Sequence, residues 1–153
     1  MSTYILDTGI LLGYFKGAGY ASYVEREYAI SSPPNITVIS IVTLGEIWSI
    51  ALQRGWGEEK QQKLREMLNT IPNVDISRTP IIERYAQIDS YSQGKNSILP
   101  LPRHMSSRNM GKNDIWIAAT GSVINAILLT NDNDFEHLNG VFLTVKYIDQ
   151  NLK

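Results

Sequence analysis

Four short acidic segments each place a carboxylate beside the predicted end of a strand or the predicted start of a helix. The candidate side chains are Asp7, Glu46, Asp114 and Asp132, with Asp134 as a further acid close to the last of them. Carboxylates that are brought together repel one another, which raises their pKa values and opposes folding. A fold that gathers four of them usually does so to hold a divalent cation, and hard oxygen ligands suit Mg²⁺ or Mn²⁺. We therefore expect a metal site if these acids converge.

The elements that must position these acids alternate between strands and helices. We predict strands over 3–6, 36–42, 73–76, 126–129 and 141–148, helices over 10–15, 20–30, 43–54, 58–70, 80–93 and 113–125, and a long loop over 92–111. Such alternation predicts a mostly parallel sheet covered by helices on both faces. Ligand sites in these sheets form outside the carboxyl ends of the strands, so the acids can meet at one edge.

Two of the acids have an ordinary explanation as helix-start residues. Thr43 and Glu46 match a capping box, in which the glutamate reaches back to the threonine amide. Asp114 lies in the first turn of a predicted helix, where a negative charge complements the helix dipole, and Asn113 would be an ordinary N-cap. Thr79 would likewise cap the helix that begins with Pro80. Taken singly, neither acid establishes a site.

The remaining acids differ in how readily they are explained. Asp132 and Asp134 lie in the polar stretch TNDNDF, which is typical of a turn. Asp7 follows a buried strand directly and lies within an apolar run, so it must find partners or shift its pKa. If each acid were only a helix cap or a turn residue, there would be no reason for all four to lie at the same edge of the predicted sheet. The four acids together therefore indicate a shared site.

Length and composition exclude several classes of protein. A chain of 153 residues favours a single domain over 1–153, and 43% hydrophobic with 19% charged residues excludes wholesale disorder. The lack of cysteine excludes a disulfide scaffold, a thiolate zinc site and a cysteine nucleophile, and it fits a cytoplasmic location. The N-terminal segment has the pattern of a strand and helix rather than a signal peptide, and no stretch approaches the ~18 apolar residues of a membrane span. A net charge of −1 gives no overall attraction to nucleic acid.

The other polar residues support an oxygen-rich site and no other chemistry. His104 and His137 are expected to be solvated loop residues, because such a site does not need imidazole ligands. Neither a nucleophile elbow nor a glycine-rich phosphate or dinucleotide loop is present. The long loop and the residue after it carry Arg103, Arg108 and Lys112, which are explained equally well as solvated charges or as contacts to phosphate.

The acidic segments resemble those of PIN-domain nucleases, and most of all the VapC-type ribonuclease toxins of toxin–antitoxin pairs. The similarity runs from Thr3 to about Phe142. The matching motifs are ILDTGILL around Asp7, Ser40-x-x-Thr43-x-Gly45-Glu46, the D-x-x-I-A-A form of Asp114–Ala119, and LLTNDNDF with Thr130, Asp132, Asp134 and Phe135. One departure is Gly9, where the family commonly has asparagine after the Asp-Thr pair; it removes no carboxylate.

The resemblance implies an α/β/α sandwich and Mg²⁺- or Mn²⁺-dependent cleavage of RNA that leaves a 5′-phosphate and a 3′-hydroxyl. It also implies frequent homodimers and inhibition by an antitoxin that inserts into the acidic cleft. The residue roles that follow are these: Asp7, Asp114 and Asp132 hold the metal, Glu46 completes the shell, Thr8, Ser40, Thr130 and Asp134 support it, and Arg103, Arg108 and Lys112 contact RNA.

Three other functions remain open from the sequence. The chain could be a housekeeping RNA-processing nuclease of the same fold without an antitoxin. It could be a binding module that has kept the fold and lost activity, although the full set of acids argues against this. It could also be a phosphatase or another metalloenzyme for small substrates, which the lack of a phosphate-cradling glycine loop disfavours.

Overall fold

The computed structural model describes the whole chain from Met1 to Lys153. Five strands form one sheet in the order β3-β2-β1-β4-β5, and every neighbouring pair is parallel. The strands are β1 (Thr3–Leu6), β2 (Ile36–Ser40), β3 (Asn73–Val74), β4 (Ile127–Thr130) and β5 (Thr144–Tyr147). The predicted parallel sheet is therefore confirmed, with a last strand that is shorter than the sequence pattern suggests.

Six α-helices and one 3₁₀ helix surround the sheet. They are α1 (Thr8–Lys16), α2 (Gly19–Tyr28), α3 (Ile41–Gln53), α4 (Glu58–Leu68), α5 (Thr79–Ser92), α6 (Lys112–Val123) and the 3₁₀ helix (Asn133–Leu138). The sequence predicted each α-helix but not the 3₁₀ helix, whose residues were assigned to a turn. The predicted long loop is present between α5 and α6. No helix is long and apolar enough to cross a bilayer.

Helix α3 begins earlier than the capping-box interpretation requires. It starts at Ile41, and Ser40 is its N-cap, with its Oγ accepting a hydrogen bond from the Val42 amide at 3.2 Å. Thr43 therefore lies inside the first turn, where its buried Oγ1 has no hydrogen-bond partner. The capping-box explanation of Glu46 is wrong. The sequence from Ile36 to Val42 is β-branched nearly throughout, so it does not show where the strand ends and the helix begins. The boundary lies at Ser40, whose hydroxyl caps α3.

The starts of α5 and α6 also differ from prediction by one residue. Thr79 is the first residue of α5 and Arg78 precedes it without a side-chain cap. Lys112 is the first residue of α6, after Gly111 as N-cap. Thr79 and Asn113 therefore do not cap these helices. Shifts of one residue at helix ends are common, because the local preference for capping competes with packing of the whole helix.

The core lies in two layers, one on each face of the sheet. Along β1, Tyr4 and Leu6 point into one apolar cluster and Ile5 into the other, as strand alternation requires. The first cluster holds the buried side chains of α1, α2, α3 and α4, and the second holds those of α5 and α6. This is the α/β/α sandwich that the family resemblance implied.

Glycines allow helices to approach closely near the edge that carries the acids. A Cβ added to Gly121 of α6 would lie 2.9 Å from Cγ2 of Ile5, so α6 packs directly against β1. A Cβ at Gly13 of α1 would lie 1.9 Å from the Tyr20 hydroxyl. That hydroxyl donates a hydrogen bond to the Gly9 carbonyl at 2.9 Å. These contacts hold α6 against β1 and α1 against α2.

Candidate metal centre

A polar hollow lies at the carboxyl ends of β1 and β4, and no hydrophobic side chain lines it. We call it the acidic hollow, and its lining residues are Asp7, Thr8, Gly9, Glu46, Asp114, Asn131, Asp132, Asn133 and Gln150. The four acids that the sequence singled out therefore converge. Parallel strands present their carboxyl ends at the same edge, and this edge is where the four meet.

Asp7 is the most constrained of the acids. It ends β1 and caps α1, with Oδ1 accepting from the Ile10 amide at 3.0 Å and Oδ2 accepting from the Thr130 hydroxyl. The side chain is only 7% exposed. Burial raises its pKa to about 6, and the nearby charges of Asp132 and Glu46 add to this, while the two hydrogen bonds oppose it. Asp7 therefore ionises at a substantial free-energy cost.

Thr130 joins the ends of the two central strands. Its hydroxyl donates to Asp7 and accepts from the Asp132 amide at 2.9 Å. Asp132 in turn caps the 3₁₀ helix, with Oδ1 accepting from the Asp134 amide at 2.9 Å. The Thr130 hydroxyl thus links the Asp7 carboxylate to the backbone at Asp132.

Glu46 reaches the hollow from α3. Its Oε1 accepts a hydrogen bond from the Thr8 hydroxyl at 2.7 Å, and this bond joins the starts of α1 and α3. Ser40 does not line the hollow; it is fully buried and caps the helix that carries Glu46. Of the hydroxyls expected to support the acids, Thr8 and Thr130 contact carboxylates and Ser40 does not.

Asp114 lies half-buried in the first turn of α6. Burial and the charges of the other acids, first Asp132 and Glu46, together raise its pKa to about 7. No hydrogen bond opposes this shift, in contrast to Asp7. Asp114 therefore ionises less readily than an exposed aspartate.

Three of the acids lie near one another at this edge. One carboxylate oxygen from each of Asp114, Asp132 and Asp134 lies within 4.8 Å of the other two. Oxygens bound to one Mg²⁺ at about 2.0–2.1 Å lie roughly 3–4 Å apart, so these side chains would move closer together to share one ion. Asp134, for which the sequence predicted a supporting role and left direct ligation open, belongs to this close group, and Asp7, which the sequence predicted as a ligand, does not.

The PIN-domain family model matches residues 4–141. This chain belongs to the PIN-domain family. Members of the family are nucleases, and the match spans every acid of the hollow. No protein of curated function matches the sequence significantly.

Solved structures of similar fold come from several bacterial complexes. A chain of VapBC2 from Rickettsia felis, bound to a DNA fragment from its promoter, has a TM-score of 0.75 and 22% identity over 96% of this chain and 99% of that one. A chain of VapBC-1 from nontypeable Haemophilus influenzae has a TM-score of 0.67 and 20% identity, over 95% of this chain and 97% of that one. A chain of a toxin–antitoxin complex from Klebsiella pneumoniae has a TM-score of 0.66 and 22% identity, over 95% of this chain and 98% of that one. At these identities the likeness establishes the fold.

The three basic residues expected to contact RNA lie outside the hollow of this PIN domain. Lys112 is exposed at the first position of α6, two residues before Asp114. Arg103 is exposed in the loop between α5 and α6, and Arg108 is half-buried in the same loop, where its amide donates to the Ser92 carbonyl at 2.7 Å. Of the three, Lys112 is therefore the one that the fold holds next to an acid of the hollow.

His137 contradicts the expectation of a solvated loop residue. It is 2% exposed, and its Nε2 lies 2.7 Å from Oγ of Ser92, while His104 is exposed as expected. Burial lowers the pKa of His137 to about 4, and the charge of Arg108 adds to this. The error arose because the 3₁₀ helix, which turns His137 towards α5, has no strong pattern in the sequence.

Three amides in the hollow were not among the residues predicted from sequence. Asn131 and Asn133 flank Asp132, so their position beside a strand end was a signal that could have found them. Gln150 follows β5, and only the pairing of β5 with β4 brings it to the same edge. The site is thus richer in neutral oxygen donors than the acidic motifs suggested.

Proposed function

We propose that this PIN domain is a metal-dependent endoribonuclease and the toxin of a toxin–antitoxin pair. The observation that carries the proposal is the convergence of Asp7, Glu46, Asp114 and Asp132 in one open hollow. Family membership supports nuclease chemistry. The acidic motifs resemble those of VapC-type toxins, and the fold is similar to chains of several VapBC complexes, which supports the more specific role.

In this proposal Asp7, Asp114 and Asp132 hold the cation, Glu46 completes its surroundings, and Asp134 lies close enough to contribute. A bound Mg²⁺ or Mn²⁺ polarises the scissile phosphate, lowers the pKa of a bound water and stabilises the leaving oxygen. The mutual repulsion of the carboxylates is the physical reason for binding, because a cation relieves it.

The chain prepares its carboxylates for this role. The bonds from Thr130 and the Ile10 amide hold Asp7 in one orientation, and Thr8 does the same for Glu46, so little side-chain freedom is lost on binding. The raised pKa of Asp114 reflects its burial and the neighbouring carboxylates, and a bound cation would favour its ionised form.

RNA is the proposed substrate because the acidic motifs resemble those of VapC-type ribonuclease toxins. Lys112 is exposed in the first turn of α6, the turn that also carries Asp114, and in this proposal its ammonium contacts a backbone phosphate. Arg103 and Arg108 lie on the loop that leads into α6 and extend this contact along the strand in the proposal. The contacts to phosphate would position RNA, and they carry no base preference of their own.

Cleavage of a defined RNA by the purified protein tests the enzymatic part. We expect cleavage with Mg²⁺ or Mn²⁺, none with excess EDTA, and recovery when the metal is restored. The Asp7→Asn variant should lose activity. A matched control is Asp89→Asn, because Asp89 lies on α5 and its carboxylate accepts a bond from Gln93 outside the hollow. EDTA-resistant cleavage, or full activity in Asp7→Asn, would contradict the proposal.

Growth of a bacterial host tests the toxin part separately. Induced expression should arrest growth, and the Asp7→Asn variant should not. If a small protein is encoded by an adjacent gene, its co-expression should relieve the arrest, and it should co-purify with the chain. RNA cleavage without growth arrest would instead indicate a housekeeping RNA-processing nuclease, and neither would indicate a PIN-fold binding module. Sedimentation of the purified protein tests the expected homodimer.

A further inference from the structure

Position 9 is where the first acidic segment departs from the usual PIN pattern, and its surroundings give a physical reason. A Cβ built on Gly9 would lie 3.1 Å from Oδ1 of Asn131 and 3.5 Å from Oδ1 of Asp7. The first of these contacts is tighter than ordinary van der Waals distance. A methyl group at position 9 would therefore push the Asn131 amide away by a few tenths of an ångström.

The backbone does not explain glycine at this position. Gly9 lies within α1, and it is not among the glycines with positive φ. Glycine inside a helix is less stable than alanine, because it has more backbone freedom to lose on folding. The tightest contact that a side chain at this position would make is with the Asn131 amide.

Asn131 is held so that its carbonyl oxygen is directed to that space. Its Nδ2 donates to the carbonyl of Ile148 at 2.8 Å, and the Ile148 amide donates to the carbonyl of Thr130 at 2.7 Å. Only an NH₂ group can donate to a carbonyl, so this bond decides which end of the amide is nitrogen and which is oxygen. The chain after β5 thus anchors the nitrogen and leaves Oδ1 at the wall of the acidic hollow, beside Asp7.

We propose that Asn131 Oδ1 is a neutral oxygen donor to the hydrated divalent cation in the acidic hollow, and that Gly9 keeps the space in which it does so. The inference rests on the cation site of the proposed function. Asparagine carbonyl oxygens are suitable partners for hard cations and their bound waters. A neutral donor adds a contact without adding another negative charge to a hollow that already contains several carboxylates.

Affinity for Mn²⁺, measured by titration calorimetry on the full chain, tests the inference without relying on activity. Asn131→Ala removes the donor, and Gly9→Ala displaces it while the asparagine stays in the sequence. We expect each to weaken Mn²⁺ binding by about tenfold, the lower end of the range for partners around a metal site. The double variant Gly9→Asn with Asn131→Ala supplies an amide from the other side, and we expect it to recover most of the lost affinity.

Thermal unfolding in EDTA separates this role from a structural one. Asn131→Ala also loses the bond to Ile148, so its melting temperature should fall, whereas Gly9→Ala keeps that bond and gains helix propensity. A melting temperature that falls in Asn131→Ala with unchanged Mn²⁺ affinity in both single variants would overturn the inference. Asn69→Ala is the matched control, because Asn69 is an exposed asparagine at the end of α4, outside the hollow; an equal loss of affinity there would also overturn it.

The measurements distinguish the two proposals even if one variant does not fold. If Asn131→Ala does not fold, Gly9→Ala decides the question alone. If the wild-type protein binds no Mn²⁺, the inference and the proposed cation site fail together. If the wild-type protein binds Mn²⁺, the variants behave as expected and RNA is not cleaved, only the proposed function fails.

Discussion

Two regions of this PIN domain remove ionisable groups from water, and they deal with the cost differently. One is the acidic hollow, and the other is a buried pocket formed by Ser92, Met110 and His137, which we call the histidine pocket. The 3₁₀ helix connects them, since Asp132 caps its start and His137 lies near its end. In both regions burial disfavours the charged form, so the carboxyl pKa values rise and the imidazole pKa falls.

The difference between the regions lies in charge repulsion and in access from solvent. In the histidine pocket the imidazole is neutral at neutral pH and buried; its Nε2 is paired with the Ser92 hydroxyl, and its Nδ1 has no hydrogen-bond partner. In the acidic hollow several carboxylates repel one another at a surface that a ligand can reach. The comparison teaches that a shifted pKa alone does not identify a functional site. Access and unrelieved repulsion distinguish the hollow from the pocket.

Asp7→Asn is expected to have the largest effect of any single substitution. RNA cleavage should fall by more than about 100-fold, because partners one step removed from a metal are already worth about 10–100-fold. The fold should survive, since the asparagine carbonyl can still accept from the Ile10 amide. Cleavage rates and circular dichroism spectra of the same preparation check both points. An active variant would mean that cleavage does not depend on the Asp7 carboxylate.

The pH dependence of stability should have opposite signs in the two regions. Asp7 has its pKa raised from 3.8 to about 6 in the folded state, so the folded protein binds the proton more tightly and stability falls as pH rises through that window. At about 1.36 kcal/mol per pKa unit, ionised Asp7 costs on the order of 3 kcal/mol at pH 8. The His137 pKa is lowered from 6.5 to about 4, so its contribution is lost as pH falls through that window.

Denaturation in EDTA from pH 4 to pH 8 measures these slopes. Asp7→Asn should be more stable than wild type at pH 8, and the gain should shrink towards pH 4, where the wild-type carboxyl is protonated. His137→Gln should remove the His137 contribution, so the stability of this variant should rise more steeply from pH 6.5 to pH 4 than that of wild type. A gain in Asp7→Asn that does not change with pH would show that burial does not penalise the Asp7 charge.

Ser92→Ala tests whether the histidine pocket is purely structural. The substitution leaves the buried His137 Nε2 without its partner, which should lower the free energy of unfolding by about 1–3 kcal/mol. Affinity for Mn²⁺ should not change. Ser97→Ala is a suitable control, because Ser97 is exposed in the loop after α5. Weaker Mn²⁺ binding in Ser92→Ala would mean that the two regions are coupled through the 3₁₀ helix.

Thr8→Val should have the smallest of these effects. It removes the 2.7 Å hydrogen bond to Glu46 Oε1 with little change in side-chain shape. We expect Mn²⁺ affinity to fall by about tenfold or less, because Glu46 stays in the hollow but is no longer held in one orientation. Calorimetric titration of Thr8→Val beside wild type measures this, and an unchanged affinity would mean that Glu46 is oriented by other contacts.

Much of the fold and the main acids follow from local patterns. The run before Asp7 and the run before Thr130 are short and apolar, so both are predicted as buried strands, and alternation with helices makes those strands parallel. Parallel strands place the residues that follow them at one edge. The convergence of Asp7 and Asp132 was therefore predictable without any knowledge of contacts.

Other features of the site depended on packing between distant segments. The start of α3 at Ile41, the burial of His137, the membership of Asp134 in the close acidic group and the space between Gly9 and Asn131 have no decisive local pattern. Each of these features depends on contacts between helices and strands that are distant in sequence.

The sequence by itself determined which residues can bind a cation and at which edge of the sheet they gather, because strand and helix patterns repeat over a few residues. Only the tertiary structure decided which oxygens point inward and what holds them. The bond from Thr130 to Asp7 illustrates this, since it joins residues at the ends of two different strands and exists because β4 pairs with β1 in one register. Register and side-chain direction arise from the packing of the whole chain, and no short segment encodes them.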